Sequence, residues 1–160
     1  RTAAAASSRI GAVGSFHGGG LTTKNPDSPH LLIPKTNASF LVCVAQNAQS
    51  YPALRDSTGF AINILAGGQE SISNRFASSK GTSAEKFEGV GHTAGRALGF
   101  PLLDGAVAHL ECSTMHTYPG GDHTIFVGQV ESVQTQDDGV EPLLYYRGRY
   151  GRVQPPPSAP

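Results

Sequence analysis

Gly121-Asp122-His123-Thr124-Ile125-Phe126-Val127-Gly128 sets a tight turn directly against an apolar strand. Glycine and aspartate supply the backbone freedom of a turn, and Ile125, Phe126 and Val127 favour a pleated, packed surface. His123 stands at the junction of turn and strand. Upstream, Ala106 to Thr117 alternates Ala108, Leu110 and Cys112 against His109, Glu111 and Ser113, the period of a half-buried strand. His109 and Glu111 therefore read as surface or interface residues. Pro119-Gly120-Gly121 turns that strand into the next, which runs from Asp122 to Val133. Asp137-Asp138-Gly139 marks another turn, and a third long strand is expected over Leu143 to Val153.

Nearer the start, Phe40-Leu41-Val42-Cys43-Val44-Ala45 and Phe60-Ala61-Ile62-Asn63-Ile64-Leu65 read as buried strands. Between them Ser50 is placed to cap a short helix, Tyr51 to Asp56, whose first turn tolerates Pro52. Glu70 to Ser78 predicts a second helix with Ile72, Phe76 and Ala77 on one side. Residues 79–91 predict a loop or a marginal helix around Phe87. Residues 1–38 lack clear periodicity, and Pro155-Pro156-Pro157 predicts an extended tail over 154–160. Short strands, frequent turns and two small helices point to a mainly β fold, a small antiparallel barrel.

The composition agrees. The chain has 160 residues, the scale of one domain, with 20 glycines, 11 prolines and no tryptophan. Twelve lysines and arginines balance twelve aspartates and glutamates. That balance argues against a binder of nucleic-acid backbone, which needs a basic excess. No apolar run approaches the length of a membrane span, and no long apolar segment follows the alanine-rich Thr2 to Ser8, so a signal peptide is not expected. Cys43 and Cys112 sit in apolar runs and read as buried free thiols of a cytoplasmic protein. No zinc motif, Gly-x-Gly-x-x-Gly fingerprint or Gly-x-Ser-x-Gly elbow occurs, and no metal site is expected.

The Gly121–Gly128 stretch is followed by Glu141-Pro142-Leu143-Leu144-Tyr145-Tyr146-Arg147-Gly148-Arg149-Tyr150. In this order and spacing the two segments resemble the flavin reductase family, the NAD(P)H-dependent components of two-component monooxygenases. The likeness covers roughly residues 41 to 153. It implies an antiparallel split β-barrel of Greek-key type with two or three short helices, spanning 1–153 as one FMN-binding domain. Residues 1–38 depart from the family pattern, so no binding residue is carried onto them. The resemblance also implies a homodimer with flavin at the interface, FMN or FAD as flavin, NADH or NADPH as co-substrate, and transient transfer of reduced flavin to an oxygenase. Two alternatives stay open: an FMN-binding split barrel without turnover, and a reductase of another acceptor such as a cobalt corrin.

Carried over residue by residue, Cys43, Val44 and Ala45 resemble the strand end beside the flavin. Asn47, Ala48, Gln49 and Ser50 resemble the loop at its phosphate, where the family often carries a basic residue in place of Gln49. A helix start offers free N–H groups to an anion, although Ser50 could equally serve only as a cap. Arg75 and Phe76 resemble the helix end beside the ring or phosphate; the plainer reading makes Phe76 core and Arg75 a solvated charge. His123 and Tyr146 are the expected catalytic residues, contacting the nicotinamide. Strand parity would put Tyr145, Arg147 and Arg149 on the face opposite Tyr146.

Overall fold

The computed structural model describes residues 38–136 and 139–152. The expected proline-rich tail and most of the expected Asp137-Asp138-Gly139 turn lie outside them. In chain order the elements are β1 (Ser39–Ala45), α1 (Tyr51–Asp56), β2 (Gly59–Ile64), α2 (Glu70–Ala77), α3 (Ser83–Phe87), β3 (His92–Ala94), β4 (Pro101–Leu103), β5 (Ala108–Gly120), β6 (His123–Thr135), β7 (Leu144–Tyr146) and β8 (Arg149–Gly151). The fold is mainly β, as expected, and every strand pair is antiparallel.

The principal sheet has the order β1-β6-β5-β2. Its centre is the long β5–β6 hairpin, whose last rung pairs Gly120 with His123. The two intervening residues are Gly121 and Asp122, and Gly121 takes φ 72°. A two-residue hairpin loop needs that positive φ at its first position to match the twist of the strands. β1 pairs along β6 from Ser39↔Gln129 to Ala45↔His123, so the end of β1 arrives beside the turn.

One side of this sheet carries the core. Val42, Val44, Phe60, Ile62, Leu110, Cys112, Phe126 and Val130 form it. Gly128 is part of the fit: a Cβ there would lie 2.7 Å from Phe60 Cζ and 2.8 Å from Cys112 Cβ, too close for any side chain. β1 alternates cleanly, with Val42 and Val44 inward, so Cys43 is exposed and not buried as expected. Cys112 is buried, and burial pushes its thiol up to about 12.

Three expectations are corrected. Leu110 and Cys112 both enter the core, so β5 alternates as expected through Cys112, but its other face is covered at Glu111 by the segment that follows β3. Glu111 is consequently buried, 1% exposed, and its carboxylate accepts from the N–H groups of Ala97, Leu98 and Gly99 at 2.8–3.1 Å. The third long strand is instead a hairpin, β7–β8, reversed at Arg147 (φ 49°) and Gly148 (φ 81°), the paired positive values of a two-residue turn. Tyr146 pairs with Arg149, and Tyr145 with Tyr150, so Arg149 shares a face with Tyr146. Finally, Ser50 occupies the N-cap position of α1, but its side chain makes no capping bond and its backbone is αR.

The segment around Phe87 is a true short helix. Thr82 Oγ1 accepts from Glu85 N at 3.3 Å and Glu85 Oε2 accepts from Thr82 N at 2.6 Å, a reciprocal capping box. β3 and β4 form a small sheet not anticipated from the sequence, closed over the Glu111 carboxylate.

Candidate functional site

The loop from Gln46 to Ser50 is fixed at both ends. Gln46 N donates to Asp122 O at 3.0 Å, which joins the loop to the Gly121–His123 turn. Ala48 N donates to Ala45 O and Tyr51 N to Ala48 O, at 2.9 and 3.0 Å. Tyr51 then packs edge-on against Phe126, ring centroids 6.3 Å apart, and its hydroxyl accepts from Thr124 Oγ1 at 3.1 Å. Cys43, Val44, Ala45, Asn47, Ala48, Gln49, Ser50 and His123 therefore fall in one continuous region. Val44 turns its side chain into the core, which leaves only its backbone for a ligand.

His123 is half-buried, and its Nδ1 lies 2.8 Å from Asp122 Oδ1. That hydrogen bond, reinforced by the attraction of an imidazolium, holds the Asp122 carboxyl below the usual carboxylate range. With Nδ1 donating to Asp122, Nε2 faces away from the turn. It accepts a hydrogen bond when the ring is neutral and donates when the ring is charged. Register places His123 on the outward face of the sheet with Ala45, Ile125, Cys43, Val127 and Leu41. Tyr118 opposes Ile125 on this face, and both Leu41 and Tyr118 are 51% exposed. The histidine thus ends an uncovered apolar stripe.

On its other flank the loop meets α3 and the turn that precedes it. Gln49 Nε2 donates to Gly81 O at 2.6 Å, and Gln49 Oε1 accepts from Lys86 Nζ at 2.9 Å. Lys86 also donates to Ser78 O at 2.6 Å. Both ends of the Gln49 amide are engaged within the protein, whereas the Ser50 hydroxyl, spared from capping, is exposed. Phe76 packs edge-on against Phe87 at 4.9 Å, and Phe87 in turn against His92. Arg75 donates to the Glu88 carbonyl, so its guanidinium braces the α3 end.

Tyr146 stands on a separate sheet. It is 70% exposed, with the Arg147 guanidinium 5.3 Å above its ring. The β7–β8 hairpin is tied to α2 by Tyr150, whose hydroxyl lies 3.0 Å from Ser73 Oγ and 2.9 Å from Asn74 Oδ1. α2 therefore holds the Tyr146 hairpin at Ser73 and Asn74, while Lys86 of α3 reaches both the α2 end and Gln49. The sequence reading missed Lys86 and the pairing of Asp122 with His123. Only the adjacency of the Asp-His dipeptide could have signalled the second. Among the described residues no group of three or more side chains converges to hold a metal ion.

A loop with an exposed hydroxyl, a nearby ammonium and a histidine at the mouth of an apolar face can hold a phosphorylated ligand with a planar ring. Comparison with known proteins defines the class. The family model described as "Flavin reductase like domain" matches residues 35–154, and the chain belongs to that family. Among curated relatives, an NADH-dependent FAD reductase of Streptomyces globisporus is 39% identical over 116 residues, 72% of this chain and 63% of that protein. The flavin-dependent monooxygenase reductase subunit HsaB of Rhodococcus jostii is 36% identical, over 75% of this chain and 59% of its own length. The chain thus spans about three fifths of these relatives. The solved structure of the Streptomyces globisporus C-1027 NADH:FAD oxidoreductase SgcE6 with NAD and FAD fragments superposes with a TM-score of 0.69 at 36% identity. It covers 76% of this chain and 72% of that one. Its fold is of the split-barrel kind expected from the sequence.

Proposed function

We propose that this protein is an NAD(P)H-dependent flavin reductase that delivers reduced FMN or FAD to a separate oxygenase. The observation that carries the reading is the rung Ala45↔His123. It sets the end of β1, the 46–50 loop and the Gly-Asp-His turn at one edge of an apolar face. Flavin, when bound, supplies the acceptor for a hydride from the nicotinamide. The chain's own part is to hold two planar rings at contact distance and exclude water between them. The donor set suits a flavin phosphate, because the Ser50 hydroxyl is exposed and spared from helix capping. Backbone at Cys43, Val44 and Ala45 and the loop Asn47 to Gln49 form one wall of the flavin site. Arg75 and Phe76 brace its neighbour. His123 orients the nicotinamide through Nε2 while Asp122 holds Nδ1. Tyr146, on its exposed hairpin, is assigned the second contact with the nicotinamide.

The uncovered face bearing Leu41, Cys43, Ile125 and Tyr118 supports a homodimer, in which a second copy would complete the site beside His123. No helix among the described residues is long and apolar enough to cross a membrane. A cytoplasmic setting fits a reaction that draws on reduced nicotinamide. The test is anaerobic addition of NADH to the flavin-loaded protein. Rapid bleaching of the flavin absorbance is expected. Stable flavin binding with no bleaching by either NADH or NADPH would move the protein to the non-catalytic alternative.

A further inference from the structure

Among the described residues Lys86 is a cation without an anion. Its Nζ is surrounded by neutral oxygens: Gln49 Oε1 at 2.9 Å, Ser78 O at 2.6 Å and Phe76 O at 3.5 Å. Glu85 is committed to the Thr82 capping box, and the described residues contain only two ion pairs, Arg55–Asp56 and His123–Asp122. An ammonium has three protons to donate. Two are well placed here, and the third has only the Phe76 carbonyl, at the outer limit of a hydrogen bond. The Gln49 amide joins this charge directly to the loop that ends in the exposed Ser50 hydroxyl.

We propose that Lys86 supplies the positive charge for the phosphate of the bound flavin, a role that rests on the flavin reading above. It does from α3 what a basic side chain at position 49 would do from the loop. Gln49, next to Ser50 in sequence, is the neutral group that holds the ammonium at this loop. The charge selects phosphorylated flavins over riboflavin, because only the former carry an anion to meet it.

Equilibrium binding of FMN and of riboflavin, followed by flavin fluorescence on the full chain, tests this. Lys86→Met should weaken FMN by about tenfold or more, the loss of a hydrogen bond to a charged group, and leave riboflavin within about twofold. Adding Gln49→Lys to that variant should restore much of the FMN affinity, which a purely structural clip would not permit. In the wild-type protein, FMN affinity should fall with added salt while riboflavin affinity holds. This last measurement is independent of whether the variants fold. Equal weakening of both ligands by Lys86→Met, no rescue by Gln49→Lys, or salt-insensitive FMN binding would each overturn the Lys86 role alone. A wild-type protein that binds neither ligand would overturn the flavin reading, and this inference with it.

Discussion

His123 Nδ1 and Asp122 Oδ1 are held 2.8 Å apart across a single peptide bond, on the tightest turn of the principal sheet. The carboxylate is exposed and the imidazole half-buried, so the acid fixes the ring from the solvent side. If His123 orients the nicotinamide, His123→Ala should slow NADH-dependent flavin reduction about tenfold to a hundredfold, the equivalent of ~1–3 kcal/mol, with FMN affinity nearly intact. Reduction by dithionite should stay normal, since it bypasses the nicotinamide. Asp122→Asn should lower the same rate and displace its pH profile, because an amide cannot hold the imidazolium. The Asp122 carboxyl is depressed below its ordinary range. Its contribution is therefore present at neutral pH and is lost as pH falls through the depressed value. An unchanged profile in Asp122→Asn would remove the acid from any positioning role.

Ser50→Ala should weaken FMN more than riboflavin, by ~1.5–3 kcal/mol, with little change in thermal stability. The stability half of this expectation follows from the structure, where the Ser50 side chain makes no capping bond. A large drop in Tm with equal effects on both ligands would show that the serine serves the helix instead.

Glu111→Gln should be strongly destabilising. The buried carboxylate accepts three backbone N–H groups through both of its oxygens, and an amide would turn its NH2 toward at least one of them. A loss of ~2–4 kcal/mol is expected in denaturant unfolding, with hydrogen exchange rising first at Ala97 to Gly99. Wild-type exchange at those amides would contradict the assigned bonds.

The two thiols should behave oppositely. Cys112 is buried and pushed up to about 12, so it should resist thiol reagents at pH 8 until the protein unfolds. Its raised value also means that stability present below about pH 9 declines as pH rises toward 12, since the unfolded chain ionises first. Cys43 lies on the outward face that the proposed homodimer covers. It should label slowly in the wild-type protein and quickly in Leu41→Asp, which should also sediment as a monomer. Rapid labelling of a wild-type monomer at micromolar concentration would exclude the homodimer.

The long hairpin was legible because both signals agree there: β-branched and aromatic residues in Ile125–Val127, and a Gly-Gly-Asp turn at the right place. The same logic gave β1, α1, β2 and α2 nearly to the residue. It failed at Glu111 because alternation assigns a residue to a face and does not say whether that face is covered: Glu111 lies opposite the core residues Leu110 and Cys112, and the Ala97–Gly99 segment folds over it. It failed at Arg147 because a non-glycine residue carries the positive φ that turns usually assign to asparagine or glycine. Thr82 and Glu85 did carry a helix signal in their spacing, hidden by the small polar residues around them. At the site, the Gly-Asp-His turn could be read from local sequence. Lys86 could not, because its value depends on Gln49 and Ser78 being brought to it through space.

The rung between Ala45 and His123 also has a consequence in time. The partners of β1 lie roughly eighty to ninety residues downstream, so during synthesis its edge waits several seconds for β6 to emerge at ~5–20 residues per second. Until then Leu41 to Val44 form an unpaired, apolar strand edge, open to pairing with another nascent chain. The loop that is to hold the ligand has no fixed shape during that interval, because one of its anchors, the Asp122 carbonyl, has not yet been made. Nascent chains stalled before His123 should therefore be the species most prone to aggregate and to recruit chaperones, and release past Gln129 should end that hazard abruptly.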